Sequence, residues 1–287
     1  VVVVTDLDQT LIYSPAAAER GPYRPSRVVE VLDGRTISLV SQQTEQGLIE
    51  LARSAVIVPV TTRTRAQYER IDLPLRSRHA VVASGAGILV DGEPDLGWAR
   101  EVAQRLAVDS APVDALRTML AGYGDRGWLL RVRDADGVFL VAAVDGDLLH
   151  VEELVAVTSS CAGLGWRAVH QGRKLYLLPV GLDKSAAVLR VVERVSQEHG
   201  GGEPLLLAAG DTSLDQEMLD LAAHGWFPAG SELDRLGHSA PHLTRTREAG
   251  LAASEEIVDA WRRHASDGQT RRTECCPSST PSTSTIP

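Results

Sequence analysis

The chain opens on four consecutive valines and then stops abruptly at Thr5-Asp6. A short, wholly apolar run ending at a charged residue predicts a strand buried on both faces, as in a parallel sheet. Residues 55–60 and 204–209 repeat the pattern. Between these runs, residues 44–53, 185–198 and 214–223 carry apolar positions at helical spacing, and Gly200-Gly201-Gly202 ends the second of them. Residues 80–83 and 88–90 predict short strands around the turn Ser84-Gly85-Ala86-Gly87. Buried strands alternating with amphipathic helices predict an α/β fold with a parallel sheet.

The middle of the chain has a different rhythm. A helix at 113–120 leads to strands at 128–133 and 138–144, joined by Asp134-Ala135-Asp136-Gly137. A helix at 149–161 then leads to strands at 166–170 and 174–179, joined around Gln171-Gly172-Arg173. This is helix–hairpin twice over, an α+β unit of residues 91–180 inserted into a core of residues 1–90 and 181–264. From about residue 265 Ser, Thr and Pro dominate and periodicity is lost, so residues 265–287 are expected to be a disordered tail.

Composition narrows the function. The 287 residues are 44% hydrophobic and 23% charged, ordinary for a globular protein. The net charge of −9 argues against nucleic acid and anionic membranes as partners. No apolar run approaches the roughly 20 residues of a membrane-spanning helix. The valine run has no basic flank or cleavage site, so it is expected to be a strand and not a signal peptide. Cys161, Cys275 and Cys276 are too few for a disulfide framework and lack zinc-site spacing. A cytoplasmic protein is the simplest expectation.

Four short segments carry chemistry. Asp6-Leu7-Asp8-Gln9-Thr10-Leu11 follows the valine strand directly. Ligand sites of open α/β sheets lie at the carboxyl ends of strands, where one carboxylate can attack phosphorus and a second can serve as acid and then base. Gly210-Asp211-Thr212-Ser213-Leu214-Asp215 follows another buried strand. Its carboxylates add hard oxygen ligands of the kind that suit magnesium. Val60-Thr61-Thr62-Arg63 ends a third strand, where hydroxyls and amides can hold phosphate oxygens. Lys184 stands at a helix start, an unfavourable place for a cation unless an anion is near. Taken singly, each segment also reads as a turn, a cap or a surface lysine. Each aspartate motif arises by chance in roughly one chain in ten of this length. Both together, in this order and each at a strand end, should arise in about one chain in a hundred or fewer, so coincidence loses.

These residues resemble the four motifs of the haloacid dehalogenase-like (HAD) superfamily: Asp6-Leu7-Asp8-Gln9-Thr10, Thr61, Lys184, and Gly210-Asp211 with Asp215. The resemblance implies a Rossmann-like core, an inserted type-II cap of subclass IIB, and Mg2+. It is of the kind seen in sucrose-phosphate, mannosyl-3-phosphoglycerate and trehalose-phosphate phosphatases. The chain also resembles HAD hydrolases encoded beside actinobacterial tellurium-resistance genes.

By that resemblance Asp6 is the nucleophile, and Asp8 protonates the leaving group and then activates water. Thr61 contacts the phosphoryl group and Lys184 neutralises charge. Asp6, Asp8, Asp211 and Asp215 form the metal set. Thr62 stands where the family often has Gly, which leaves open which hydroxyl touches phosphate. Neighbouring carboxylates are expected to raise the Asp8 pKa. An acid at this position favours phosphate-ester hydrolysis over dehalogenation.

Thr62, Arg63, Gln171, Arg173 and Lys174 are the expected substrate contacts. The partner is then a small phosphorylated metabolite, with a sugar phosphate favoured. A phosphomutase and a non-catalytic binding or regulatory protein are the alternatives.

Overall fold

The computed structural model describes residues 1–74 and 77–274, with side chains described through residue 266. Its centre is a five-stranded parallel sheet: β1 (Val2–Thr5), β4 (Val56–Pro59), β12 (Leu206–Ala209), β13 (His224–Phe227) and β14 (Leu243–Arg245), in the order β14-β13-β12-β1-β4. Every residue of β1 is buried, because β12 and β4 flank it and helices cover both faces. Alternation within the valine run sorts the faces. Val2 and Val4 pack with α7 (Lys184–Glu198) and α8 (Gln216–Asp220). Val3 packs with α2 (Gln42–Leu51) and α10 (Leu251–Glu274). Short helices α1 (Pro15–Ala18), α3 (Arg65–Tyr68) and α9 (Glu232–Arg235) punctuate the connections. None of the helices among the described residues is long and apolar enough to cross a membrane.

Three antiparallel sheets surround this centre. One is the hairpin of β2 (Ser26–Leu32) and β3 (Arg35–Ser41), closed by Asp33-Gly34 with both φ values positive. Another joins β5 (His79–Val82), β6 (Gly87–Val90) and β7 (Glu93–Pro94), and reaches the parallel sheet through a bridge between Val60 and Val81. The third is four-stranded: β8 (Leu129–Ala135), β9 (Phe139–Val144), β10 (Trp166–Gln171) and β11 (Lys174–Pro179), in the order β10-β11-β9-β8. The chain around it adds α4 (Leu96–Asp109), α5 (Val113–Ala121) and α6 (Val151–Ala162). Ala142, Leu175 and Leu177 of this sheet share one apolar cluster with Leu116, Leu120, Val157 and Cys161 of the helices.

Two expectations change in detail. The helix expected at 214–223 is cut to a 3-10 turn plus α8, because the Asp215 side chain folds back onto the preceding loop and the chain enters β13 at His224. At the other end α10 runs on to Glu274, past the expected start of the tail. Residues 275–287 of that tail lie outside the described residues.

The turn after β5 locks the fold to the site. Ala83, Ser84 and Gly85 have φ of 50°, 56° and 98°. A Cβ on Gly85 would lie 2.1 Å from the Asp183 carbonyl oxygen, just before α7. Gly85→Ala therefore meets both a left-handed backbone and a main-chain clash. It is expected to cost about 3 kcal/mol or more of unfolding free energy, read by urea denaturation.

Candidate active site

The strand order sets the place. The chain leaves β1 for β4 on one side and later returns through β12 and β13 on the other, so connections diverge at the carboxyl end of β1. Open α/β sheets form their binding crevice at such a switch point. Asp6, Thr61 and Asp211 lie just beyond the ends of the three strands that meet there.

Backbone bonds fix the first of these. The Asp6 amide donates to the Ala209 carbonyl at 2.9 Å, continuing the β1–β12 ladder by one residue. The Leu7 carbonyl then accepts from the amides of Thr10, Leu11 and Ile12. Gln9 takes φ of 60° in this tight turn.

Lys184, the first residue of α7, is 2% exposed and joins two carboxylates. Its Nζ donates to Asp6 Oδ1 at 2.6 Å and to Asp215 Oδ1 at 2.5 Å. The Asp183 side chain caps α7 by accepting from the Ala186 amide, which holds the lysine's backbone in place. The other Asp215 oxygen accepts from the amides of Asp211 and Thr212 and from the Thr212 hydroxyl. Asp215 is thus saturated. It shapes the loop and holds Lys184, and a Cβ on Gly210 would come within 2.4 Å of its own Cβ.

Asp6, Asp211 and Asp215 each place one carboxylate oxygen within 4.8 Å of the others'. All three residues are buried. Burial, then the neighbouring carboxylates, push Asp6 and Asp211 upward despite Lys184. Burial opposes the charge on Lys184, but Asp215 and Asp6 outweigh it and raise its pKa. Three buried carboxylates around one ammonium leave negative charge for a divalent cation to meet. Oxygen-only donors fit Mg2+, and the oxygens without a protein partner among the described residues belong to Asp6 and Asp211.

Asp8 corrects one expectation, that of a raised pKa. Arg63 grips it with two N–H donors, Nε to Oδ2 at 2.7 Å and Nη2 to Oδ1 at 2.8 Å. Burial raises the Asp8 pKa, but these bonds and the Arg63 charge outweigh it, so the pKa falls below the usual carboxylate range instead of rising. The carboxylate held this way also stands outside the triad of mutually close acids. Arg63, expected to touch substrate, is committed to protein: its third donor, Nη1, reaches Glu30 Oε2 at 2.7 Å. Glu30 is buried on β2, and Ser38 and Arg70 also donate to it. No motif marks Glu30 in the sequence; its one signal is a carboxylate within an apolar run. Arg63→Met would strip the main cation from Glu30 and release Asp8. We expect a loss of about 3 kcal/mol in stability, read by urea denaturation.

Thr61 is wholly buried, its hydroxyl accepting from the Arg63 amide at 3.1 Å, while Thr62 is half-exposed. From the four-stranded sheet, Lys174 comes near enough for its charge to act on Asp8. Gln171 pairs with Lys174 across β10 and β11, and its Nε2 is buried with no partner among the described residues. Arg173 is exposed at the hairpin turn, and among the described residues it makes no ion pair.

No protein-family model matches the chain, and no curated protein matches it significantly. Solved structures do. The sucrose-phosphatase of Synechocystis sp., solved with sucrose and phosphate, is 15% identical over 91% of this chain and 98% of that one, with a TM-score of 0.57. A trehalose-6-phosphate phosphatase related protein is 15% identical over 94% and 100%, with a TM-score of 0.55. A HAD-superfamily phosphatase of Bacteroides thetaiotaomicron is 13% identical over 92% and 94%, also with a TM-score of 0.55. At such identities a likeness carries the fold. The chain shares the fold of these solved phosphatase structures.

Proposed function

We propose that this protein is a magnesium-dependent phosphatase that removes phosphate from a small phosphorylated metabolite through a phosphorylated Asp6. The observation that carries the reading is the meeting of Asp6, Asp211 and Asp215 oxygens around Lys184 at the switch point of the sheet. The solved phosphatases of the same fold, two of them named for sugar phosphates, favour that substrate class.

In this reading Asp6 Oδ attacks phosphorus and the ester oxygen leaves with a proton from Asp8. Asp8 then takes a proton from water, which attacks the aspartyl-phosphate and regenerates Asp6. Lys184 holds the nucleophile and offsets the charge brought by the phosphoryl group. Thr61 and Thr62 are placed to contact phosphate oxygens. Mg2+ held by Asp6 and Asp211 would supply charge neutralisation at the phosphoryl oxygens. Arg63 sets the orientation of Asp8 and must share or release it for a proton to be carried. Residues 91–180 act as a cap that screens the crevice from water and reads the leaving group. Unpaired Cys161 and the acidic charge are in keeping with a cytoplasmic setting.

Phosphate release from a panel of sugar, nucleotide and glycerate phosphates, with magnesium and with EDTA, tests the reading. Isomerised substrate with little free phosphate would mark a phosphomutase instead. Metal binding has its own readout. Mg2+ at roughly 100 times its Kd should stabilise the fold by about 2.7 kcal/mol, seen as a higher melting temperature. Asp211→Asn should remove that increment, and an unchanged increment would exclude Asp211 as a ligand.

A further inference from the structure

The four-stranded sheet presents two unlike faces. On one, Ala142, Leu175 and Leu177 are buried against helices. On the other, Arg131 stands opposite Ala143, Ala143 opposite Lys174, and Lys174 opposite Gln171. Directly opposed residues of antiparallel strands share a face, and residues two along return to it. Arg133 therefore joins this face, with Val141 and Tyr176 beside it in the next row. The result is a small apolar floor with Arg131, Arg133 and Lys174 rising from it.

None of the paired positions on this face carries a carboxylate, although the chain as a whole bears a net charge of −9. Arg131 and Arg133 are exposed, and among the described residues neither has an ion-pair partner. Two other surface arginines are by contrast neutralised, Arg126 by Glu153 and Arg190 by Glu101. Lys174 lies 6.0 Å from the centre of the Tyr176 ring and makes no ion pair among the described residues. Lys174 is near enough to Asp8 for its charge to act there, which sets the Lys174 end of this face beside the crevice.

The phosphoryl group does not need these cations. Lys184 and the metal position beside Asp6 meet its charge within the core. A neutral sugar would leave three basic side chains without an anion over the leaving-group side. We infer that the substrate carries a second anionic group on its leaving group, a carboxylate or a further phosphate, received by Lys174, Arg131 and Arg133, with Gln171 supplying a neutral donor. This narrows the phosphatase reading above and rests on it. The class becomes phosphorylated hydroxy acids or sugar acids, or bisphosphates.

Matched pairs that differ only in the second charge test the inference: phosphoglycerate against glycerol phosphate, and glucose bisphosphate against glucose monophosphate. Binding is titrated calorimetrically with the turnover-deficient Asp6→Asn protein in magnesium, and kcat/KM is measured with the native chain. The doubly anionic member of one pair should bind at least roughly tenfold tighter, since a charge-assisted contact is worth about that factor. The pair that shows the preference tells carboxylate from phosphate.

In an Arg131→Gln/Arg133→Gln variant the ratio between members of that pair should fall about tenfold and lose its salt dependence. A purely structural loss would lower both members alike and leave the ratio unmoved. Equal or tighter binding of the singly charged member in both pairs overturns the inference, as does an unmoved ratio in the variant. Preferential binding without phosphate release from any ester would sink the phosphatase reading while keeping the second anion. Release from singly charged esters alone would do the reverse.

Discussion

Asp6→Asn should abolish phosphate release, by a factor of about ten thousand or more, while the protein remains folded. Loss of a covalent nucleophile removes the whole reaction channel and not one contact within it. Asparagine keeps the volume and one oxygen to accept from Lys184, so the buried 2.6 Å contact survives in neutral form. The melting curve should therefore stay close to that of the native chain. Rapid acid quenching of the native enzyme with substrate should show one added phosphoryl group by mass spectrometry, absent in Asp6→Asn. Activity in the variant within tenfold of native would remove Asp6 from its role.

Lys184→Met should be the most damaging change to stability. Methionine is close to lysine in volume, one heavy atom shorter, and leaves Asp6 and Asp215 buried with no cation between them, beside Asp211. Breaking a buried ion pair by removing one partner costs about 3–5 kcal/mol. Phosphate release should be lost with it. The double variant Asp6→Asn/Lys184→Met separates charge from packing. If charge is the cause, removing one buried carboxylate recovers part of the loss, and the double variant loses less than the two single losses added together. Strict additivity in urea denaturation would mean that the lysine matters only as volume.

Much of this centre is legible in the residues themselves, because its parts are local. A four-valine run ending at Asp6 can only be a buried strand with a carboxylate at its tip. Gly210-Asp211 after a second apolar run repeats the signal, and Thr61 and Lys184 each sit at an element end. The hairpin of β2 and β3 escaped notice because irregular register between Val28 and Val31 breaks the alternation that marks a strand. Helix α4 escaped because only Trp98 and Val102 are buried along its length, a stripe too narrow to show as periodicity.

The pKa of Asp8 shifts opposite to the sequence expectation for a related reason. The acids near it in sequence argued for a raised pKa, while the arginine that lowers it lies 55 positions away. Glu30, which anchors that arginine, comes from a hairpin with no motif at all.

Sequence alone determined which strands are buried, which residues end them, and which of those ends bear carboxylates, since burial and periodicity act over a few neighbouring positions. Tertiary structure decided which charges neutralise one another. Arg63 went to Asp8 and Glu30, and Asp215 to Lys184 and its own loop, while β-sheet register gathered Arg131, Arg133 and Lys174 on one face. Coulomb interactions depend on distance through space, and only packing sets that distance.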